Sequence, residues 1–121
     1  MADLLVDTDV FSDHLRGARR LPVDDDDNVC YSVVTLCELF AGVRVDEGAV
    51  QTLLAPHTAL VVNHVVAERA GRIRRETGIR IGDALIAATA LEHGLTLMTR
   101  NARDFAQVPG ILLAQPAKNG E

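Results

Sequence analysis

Four acidic residues, widely separated along the chain, are placed where their carboxylates could meet: Asp7, Glu38, Asp83 and Asp104. Two carboxylates about 5 Å apart repel each other by roughly 3 kcal/mol at an effective dielectric constant near 20. Four of them at one place must therefore bind protons or be balanced by positive charge. A hard divalent ion such as Mg²⁺ or Mn²⁺ prefers oxygen ligands of this kind. Such an ion activates water and stabilises negative charge that builds on a phosphate.

The stretch 81–105, IGDALIAATALEHGLTLMTRNARDF, contains the last two of these positions. Its apolar residues recur at helical spacing, and Gly94 is a typical left-handed helix C-cap. A helix of about eleven residues rises roughly 16 Å, and the short strand 95–98 returns over a similar length. This out-and-back path predicts that Asn101 and Asp104 lie level with Asp83.

The rest of the chain alternates short apolar strands with amphipathic helices. We predict strands at 4–6, 29–33, 60–62, 95–98 and 111–113, and helices at 8–17, 35–43, 46–54, 64–77 and 83–93. Continuous rather than alternating apolar strands indicate an α/β fold, with a central parallel sheet of four to five short strands flanked by helices on both faces. Residues 1–114 are predicted to form a single domain, and residues 115–121 a frayed C-terminal tail.

In an open parallel sheet, binding sites form outside the carboxyl ends of the strands. Asp7 directly follows the first strand, where an unpaired carboxylate is costly. The other three have local alternatives. Glu38 follows Thr35 in a capping-box spacing, Asp83 is a possible N-cap, and Asp104 is a possible first-turn charge. The coincidence of all four at one edge favours a metal site.

Composition limits the ways in which RNA or DNA could bind. The 121 residues carry a net charge of −5 and few aromatic side chains, which argues against a basic surface and against a base-stacking platform. Several arginines nevertheless flank the acidic positions and are candidates for binding the phosphates of RNA: Arg72, Arg75, Arg80, Arg100 and Arg103. A solvated helix face is the alternative for those that precede Asp83, and Arg16, Arg19 and Arg20 are expected to be ordinary surface.

Two cysteines and no signal peptide favour the reducing cytoplasm, and both Cys30 and Cys37 are expected to be small buried residues. The longest apolar run is far too short to cross a membrane. The run Asp24–Asp27 is interpreted as a solvated loop, because consecutive side chains diverge and a hard cation needs ligands that converge.

Three segments, LLVDTDVFSD, SVVTLCELFAGV and GDALIAATALEHGLTLMTRNARDF, together resemble the PIN-domain family, and within it the VapC-type toxins of toxin–antitoxin pairs. The resemblance implies a three-layer fold and a Mg²⁺- or Mn²⁺-dependent endoribonuclease. It places Asp7, Glu38 and Asp83 in the acidic core, and Asp104 as a fourth member whose role Asn101 could share. Thr8 and Thr99 would orient water or phosphate.

The resemblance also implies a cognate antitoxin, a homodimer, and an RNA substrate such as tRNA or rRNA whose cleavage would inhibit translation and growth. Position 9, often Asn in such proteins, is Asp9 here. Its side chain either tightens metal binding or points away on the helix, and we expect the second.

Two other classes of protein remain as alternatives. The sequence Asp7-Thr8-Asp9-Val10 is similar to the start of aspartate-based phosphotransferases and phosphatases, and a receiver domain is also α/β with an acidic pocket. Both use an active-site lysine, whereas the only lysine here is Lys118, in the tail. The second alternative is a PIN-like binding subunit without catalytic activity, which would bind no divalent ion.

Overall fold

The computed structural model describes residues 1–116, in which five strands alternate with six helices. The strands are β1 (Asp3–Val6), β2 (Asn28–Ser32), β3 (Thr58–Leu60), β4 (Thr96–Met98) and β5 (Leu113–Ala114). The helices are α1 (Thr8–Leu15), α2 (Val33–Phe40), α3 (Glu47–Leu54), α4 (His64–Thr77), α5 (Ile81–His93) and α6 (Ala102–Phe105). Residues 117–121, most of the predicted tail, lie outside the described part.

The five strands form one sheet in the order β3-β2-β1-β4-β5, and every neighbouring pair is parallel. The predicted α/β class and parallel sheet are confirmed. The strand order reverses beside β1, because the chain proceeds outward on one side to β2 and β3 and returns on the other to β4. Crevices for ligands form at such a reversal, outside the carboxyl ends of the strands.

Two hydrophobic cores cover the two faces of the sheet. Leu5 and Leu97 face one core, which α4 and α5 complete. Leu4, Val6 and Met98 face the other, which is completed by α1, α2 and α3. Successive strand residues thus point to opposite faces, and both faces are covered by helices, which gives three layers.

Most helix ends follow from local sequence. Helix α4 has the predicted bounds, because the Asn63 side chain accepts the Val66 amide and Gly78 takes the left-handed conformation after the last turn. Gly94 ends α5 in the same way, with φ of 65°. Helix α2 begins two residues before the predicted start, with Ser32 as its N-cap.

Helices α1 and α2 end before their predicted last residues, at Leu15 and Phe40, and α5 begins two residues before its predicted start. The other differences concern short elements. Strand β3 lies two residues before the predicted segment, since its register against β2 is set by pairing and not by the apolar run that continues to Val62. Strand β5 is shifted to Leu113–Ala114 by its pairing with β4. Helix α6 has only four residues, too few to show a helical repeat in sequence.

Two expectations about individual residues are wrong. Cys37 is exposed, whereas Cys30 is buried as expected. Asp24, Asp26 and Asp27 do not diverge, because one carboxylate oxygen from each lies within 4.8 Å of the others. Asp27 accepts hydrogen bonds from the backbone amides of Ala2 and Asp24, so this cluster closes the loop before β2.

Among residues 1–116, no helix is both long enough and apolar enough to span a membrane.

Candidate active site

Asp7 lies at the carboxyl end of the central strand, between β1 and α1. Its backbone amide donates to Met98 O at 2.9 Å, which continues the pairing of β1 with β4. Its side chain is the N-cap of α1, where Oδ1 accepts the Thr8 amide at 2.8 Å. Its other oxygen, Oδ2, accepts the hydroxyl of Thr99 at 2.8 Å. These hydrogen bonds fix the carboxylate in position. The residue is buried, with only 4% of its surface exposed.

Burial raises the pKa of Asp7 to about 7, and the nearby negative charges of Asp9 and Asp83 add to the rise. The hydrogen bonds from Thr99 and the Thr8 amide act in the opposite direction and favour the charged form. Among residues 1–116, no basic side chain forms an ion pair with Asp7. This carboxylate therefore lacks the positive charge that would normally accompany it.

Glu38 reaches the same edge from α2. The Thr8 hydroxyl donates to Glu38 Oε1 at 2.6 Å and lies 2.9 Å from the hydroxyl of Thr35. The capping-box alternative for Glu38 is wrong, since the N-cap of this helix is Ser32 and not Thr35. The carboxylate instead connects α2 to the first turn of α1.

Asp83 lies in the first turn of α5, and the N-cap alternative for it is also wrong, because the helix begins at Ile81. Its Oδ2 lies 3.3 Å from Nε of Arg80. A Cβ atom on Gly82 would come within 3.4 Å of Glu38 Oε2, so the start of α5 closely approaches the carboxylate of α2.

These side chains line one cavity of about 280 Å³, which we call the acidic cavity. Its lining residues are Asp7, Thr8, Asp9, Ser12, Arg16, Glu38, Arg80, Asp83, Arg100 and Asn101. The structure thus brings together three of the four predicted acidic residues, and Thr8 and Asn101 with them. Thr99 is fully buried beneath Asp7.

Asp104 does not line the acidic cavity. It is exposed and lies on an adjoining cavity of about 270 Å³, which shares Arg80 and Asp83 with the first. As predicted, the chain after β4 comes back to the level of Asp83. The turn of α6 nevertheless places Asp104 in the adjoining cavity. Asn101, at the start of that turn, is the residue that enters the acidic cavity.

Asp9 takes a place in the acidic cavity, contrary to our expectation that it points away. Its Oδ2 accepts the Asn101 side-chain amide at 3.2 Å and the Arg100 backbone amide at 3.3 Å. Burial raises the pKa of Asp9, and the hydrogen bond from the Arg100 backbone amide and the positive charge of Arg100 oppose the rise. Asp9 therefore connects α1 to the loop after β4 and adds a fourth carboxylate to the cavity.

Two cavity residues were missed from sequence. Ser12 and Arg16 follow Asp9 by three and seven positions, which places all three on one face of α1. That spacing was the available signal, but Arg16 was expected to be ordinary surface.

The candidate arginines divide into two groups. Arg80 and Arg100 line the acidic cavity, whereas Arg72, Arg75 and Arg103 are exposed outside it. Two further arginines of α4 have structural contacts. Arg69 pairs with Glu92, and Arg74 donates to the carbonyl oxygens of Gly78 and Ile79.

The donor set of the acidic cavity fits a hard divalent cation. Its lining offers carboxylates, hydroxyls and an amide oxygen, and contains no histidine or cysteine. Oxygen-only sites of this kind suit Mg²⁺ or Mn²⁺, whereas Zn²⁺ prefers nitrogen and sulfur ligands. Burial, together with the charges of Asp9 and Asp83, raises the pKa of Asp7, and a cation bound beside this carboxyl group would favour its charged form.

Comparisons with known proteins agree with this fold. Residues 4–111 match the PIN domain family. The chain is 42% identical to ribonuclease VapC10 of Mycobacterium tuberculosis, with 84% of this chain and 85% of that protein covered. It is 32% identical to ribonuclease VapC19 of the same organism, over 88% and 95% of the two chains. A toxin–antitoxin complex from Klebsiella pneumoniae contains a chain of similar structure, with a TM-score of 0.79 and 30% sequence identity. The match covers 95% of this chain and 98% of that chain.

The family match spans most of the chain and decides against the phosphotransferase and receiver-domain alternatives. No lysine lines the acidic cavity, which agrees with that outcome. This chain belongs to the PIN-domain family.

Proposed function

We propose that this protein is a divalent-metal-dependent endoribonuclease and the toxin of a toxin–antitoxin pair. The observation that carries the proposal is the convergence of Asp7, Glu38 and Asp83, from three separate elements, on one cavity that also contains Asp9. The names of the relatives support it, since VapC10 and VapC19 are ribonucleases and the Klebsiella protein belongs to a toxin–antitoxin complex.

In this proposal Asp7, Glu38 and Asp83 hold a Mg²⁺ ion, or Mn²⁺ as the alternative, and Asp9 adds negative charge beside them. When bound, such an ion lowers the pKa of water and offsets charge on the phosphate under attack. Thr99 orients Asp7 and favours its charged form through the 2.8 Å hydrogen bond. Thr8 orients Glu38 through its own hydrogen bond. These two hydrogen bonds keep the carboxylates in place before the substrate arrives.

The role of Asp104 follows from its place in the adjoining cavity. There it lies beside Gln107 and shares Asp83 and Arg80 with the acidic cavity. We propose that it contributes to metal binding through its effect on Asp83 and that Asn101 takes the fourth position beside Asp7. Arg80 and Arg100 bind phosphates at the entrance, and the exposed Arg72, Arg75 and Arg103 extend the basic surface for a longer RNA.

The proposed partners are a cognate antitoxin and a second copy of this chain, in the cytoplasm. Large apolar side chains are exposed at several places, and a partner would bury them: Val43, Val61, Val65, Ile81 and Leu112. The proposed RNA target is tRNA or rRNA, so that cleavage inhibits translation and growth. Sequencing of RNA ends after induction in cells would identify the target and the cleaved motif.

The test compares cleavage of RNA by the parent with that by Asp7→Asn and Asp83→Asn, in Mg²⁺, in Mn²⁺ and in EDTA. We expect cleavage only with a divalent ion, and a loss of roughly 100-fold or more in each variant. Asp25→Asn, an exposed change of the same chemistry in the loop before β2, should cleave like the parent. Circular dichroism establishes that the variants are folded.

Equal cleavage by folded Asp7→Asn, Asp83→Asn and parent in Mg²⁺ would refute the proposed site. If calorimetry detected no divalent ion bound to the parent and no RNA were cleaved, the protein would instead be a non-catalytic binding subunit.

A further inference from the structure

Asp13 is a buried carboxylate next to the acidic cavity that the proposed metal site does not use. It lies on α1, and only 3% of the residue is exposed. Its Oδ1 is 2.6 Å from Arg16 Nη2, and its Oδ2 is 3.1 Å from Arg100 Nε. One carboxylate therefore holds two arginines that come from distant parts of the chain.

Both arginines line the acidic cavity and remain open to solvent. The side chain of Arg16 is 63% exposed and that of Arg100 is 41% exposed. Each contact with Asp13 uses one nitrogen of the guanidinium group, which carries five N–H donors in all. Donors thus remain on each arginine for a ligand at the cavity entrance.

The contacts of Arg100 show what Asp13 does to the charge distribution. Arg100 Nε lies 3.1 Å from Asp13 but 3.9 Å from Asp9 Oδ2. A flexible arginine beside four carboxylates would otherwise fold onto them and neutralise the charge that a metal ion needs. Asp13 makes the shorter of the two ion pairs and therefore competes with Asp9 for this arginine.

We propose that Asp13 is a positioning residue that holds Arg16 and Arg100 as a two-arginine clamp for backbone phosphates of the RNA substrate. This inference rests on the proposed nuclease function and adds to it the residues that bring a polyanion to an acidic cavity. Guanidinium groups bind phosphate oxygens through paired N–H donors, and a fixed pair costs less conformational entropy on binding than two mobile side chains.

The first experiment measures binding, so that its outcome does not depend on cleavage. A fluorescein-labelled single-stranded RNA of mixed sequence is titrated with the full-length Asp83→Asn protein in Mg²⁺, at several salt concentrations. Adding Arg16→Gln or Arg100→Gln should raise the Kd by roughly threefold to tenfold. Each substitution should also make the negative slope of log K against log salt less steep by about 0.7. Arg20→Gln, an exposed arginine outside the cavity, is the matched control and should change neither quantity.

The second experiment tests whether Asp13 acts through the two arginines. Asp13→Asn should weaken RNA binding about as much as the Arg16→Gln/Arg100→Gln pair, and should add no further loss to that pair. Asp13→Glu, which keeps the charge, should restore part of the binding. In the protein with native Asp83, Asp13→Asn should raise KM more than it lowers kcat.

The outcomes separate this inference from the proposed function. Parent-like RNA binding by Arg16→Gln and Arg100→Gln would overturn the clamp even if RNA is cleaved normally. An equal loss from Asp13→Asn with and without the two arginines would show that Asp13 acts only through the fold. If binding changes as expected but RNA is never cleaved, the clamp stands and the nuclease proposal fails. If Asp13→Asn does not fold, the arginine variants and Asp13→Glu still decide the clamp.

Discussion

The hydroxyl of Thr99 donates to Asp7 Oδ2 at 2.8 Å and thereby joins the ends of two neighbouring strands that are 92 residues apart in sequence. Thr99 also accepts the amide of Asn101 at 2.9 Å, so it orients the loop after β4. Both Asp7 and Thr99 are buried. This pair fixes the central carboxylate of the acidic cavity.

Replacing Thr99 by Val should destabilise the protein by about 1–3 kcal/mol at neutral pH, because a buried carboxylate and a backbone amide each lose a hydrogen bond. Urea denaturation measures the change. Thr89→Val is the matched control, because Thr89 is also fully buried but donates only to the Leu85 carbonyl of its own helix. A cost for Thr99→Val no greater than that for Thr89→Val would contradict the role assigned to this hydroxyl.

The raised pKa of Asp7 predicts a pH-dependent stability in EDTA. The pKa is about 7 in the folded protein against 3.8 for an ordinary aspartate side chain. Between these values the folded state keeps a proton that the unfolded state releases, so stability falls as pH rises from about 4 to 7. Asp7→Asn removes this effect and should be more stable than the parent by ~2–4 kcal/mol at pH 8, with a much smaller difference at pH 4.

Urea denaturation of both proteins at pH 4, 6 and 8 checks this prediction. The pKa of Asp9 is also raised, so part of the pH dependence should persist in the Asp7→Asn protein. Identical pH profiles for parent and variant would show that Asp7 is not the group responsible. Adding Mg²⁺ at pH 8 should stabilise the parent more than Asp7→Asn, because the ion binds the folded state.

Asp9 and Asp104 differ in position, and metal titration should distinguish them. Asp9 lies in the acidic cavity, whereas Asp104 lies in the adjoining one. Asp9→Asn should retain RNA cleavage but raise the Mg²⁺ concentration for half-maximal activity by roughly threefold to tenfold. The reason is that the cavity loses one of its four negatively charged carboxylates. Asp104→Asn should produce a smaller rise. The reverse order would place Asp104 closer to the metal than its cavity indicates.

The hydrogen bond between Thr8 and Glu38 predicts coupled effects on cleavage. Thr8→Val and Glu38→Gln should each lower kcat/KM, and the double variant should lose little more than Glu38→Gln alone. Cleavage assays on the three variants and the parent form the double-mutant cycle. Strictly additive losses would mean that Thr8 contributes independently of Glu38.

The sequence alone was sufficient to predict the α/β class and most of the helices and strands. Helix α4 was predicted with its observed bounds, because Asn63 and Gly78 cap it locally. The sequence also indicated Asp7 as a candidate, since an unpaired carboxylate directly after a buried strand is costly, and the structure places it in the acidic cavity. Long periodic segments and local caps depend on neighbouring residues, so they can be recognised without knowledge of the tertiary structure.

Tertiary structure decided which polar residues share the acidic cavity. The single turn of α6 separates Asp104 from Asn101, and four residues carry no periodicity that sequence could show. Asp9 and Arg16 enter the cavity because α1 presents one face to the loop after β4, and that packing depends on the order of strands in the sheet. Local sequence determined where each carboxylate lies on its own element, but only the pairing of β1 with β4 and the packing of the helices determined which side chains meet.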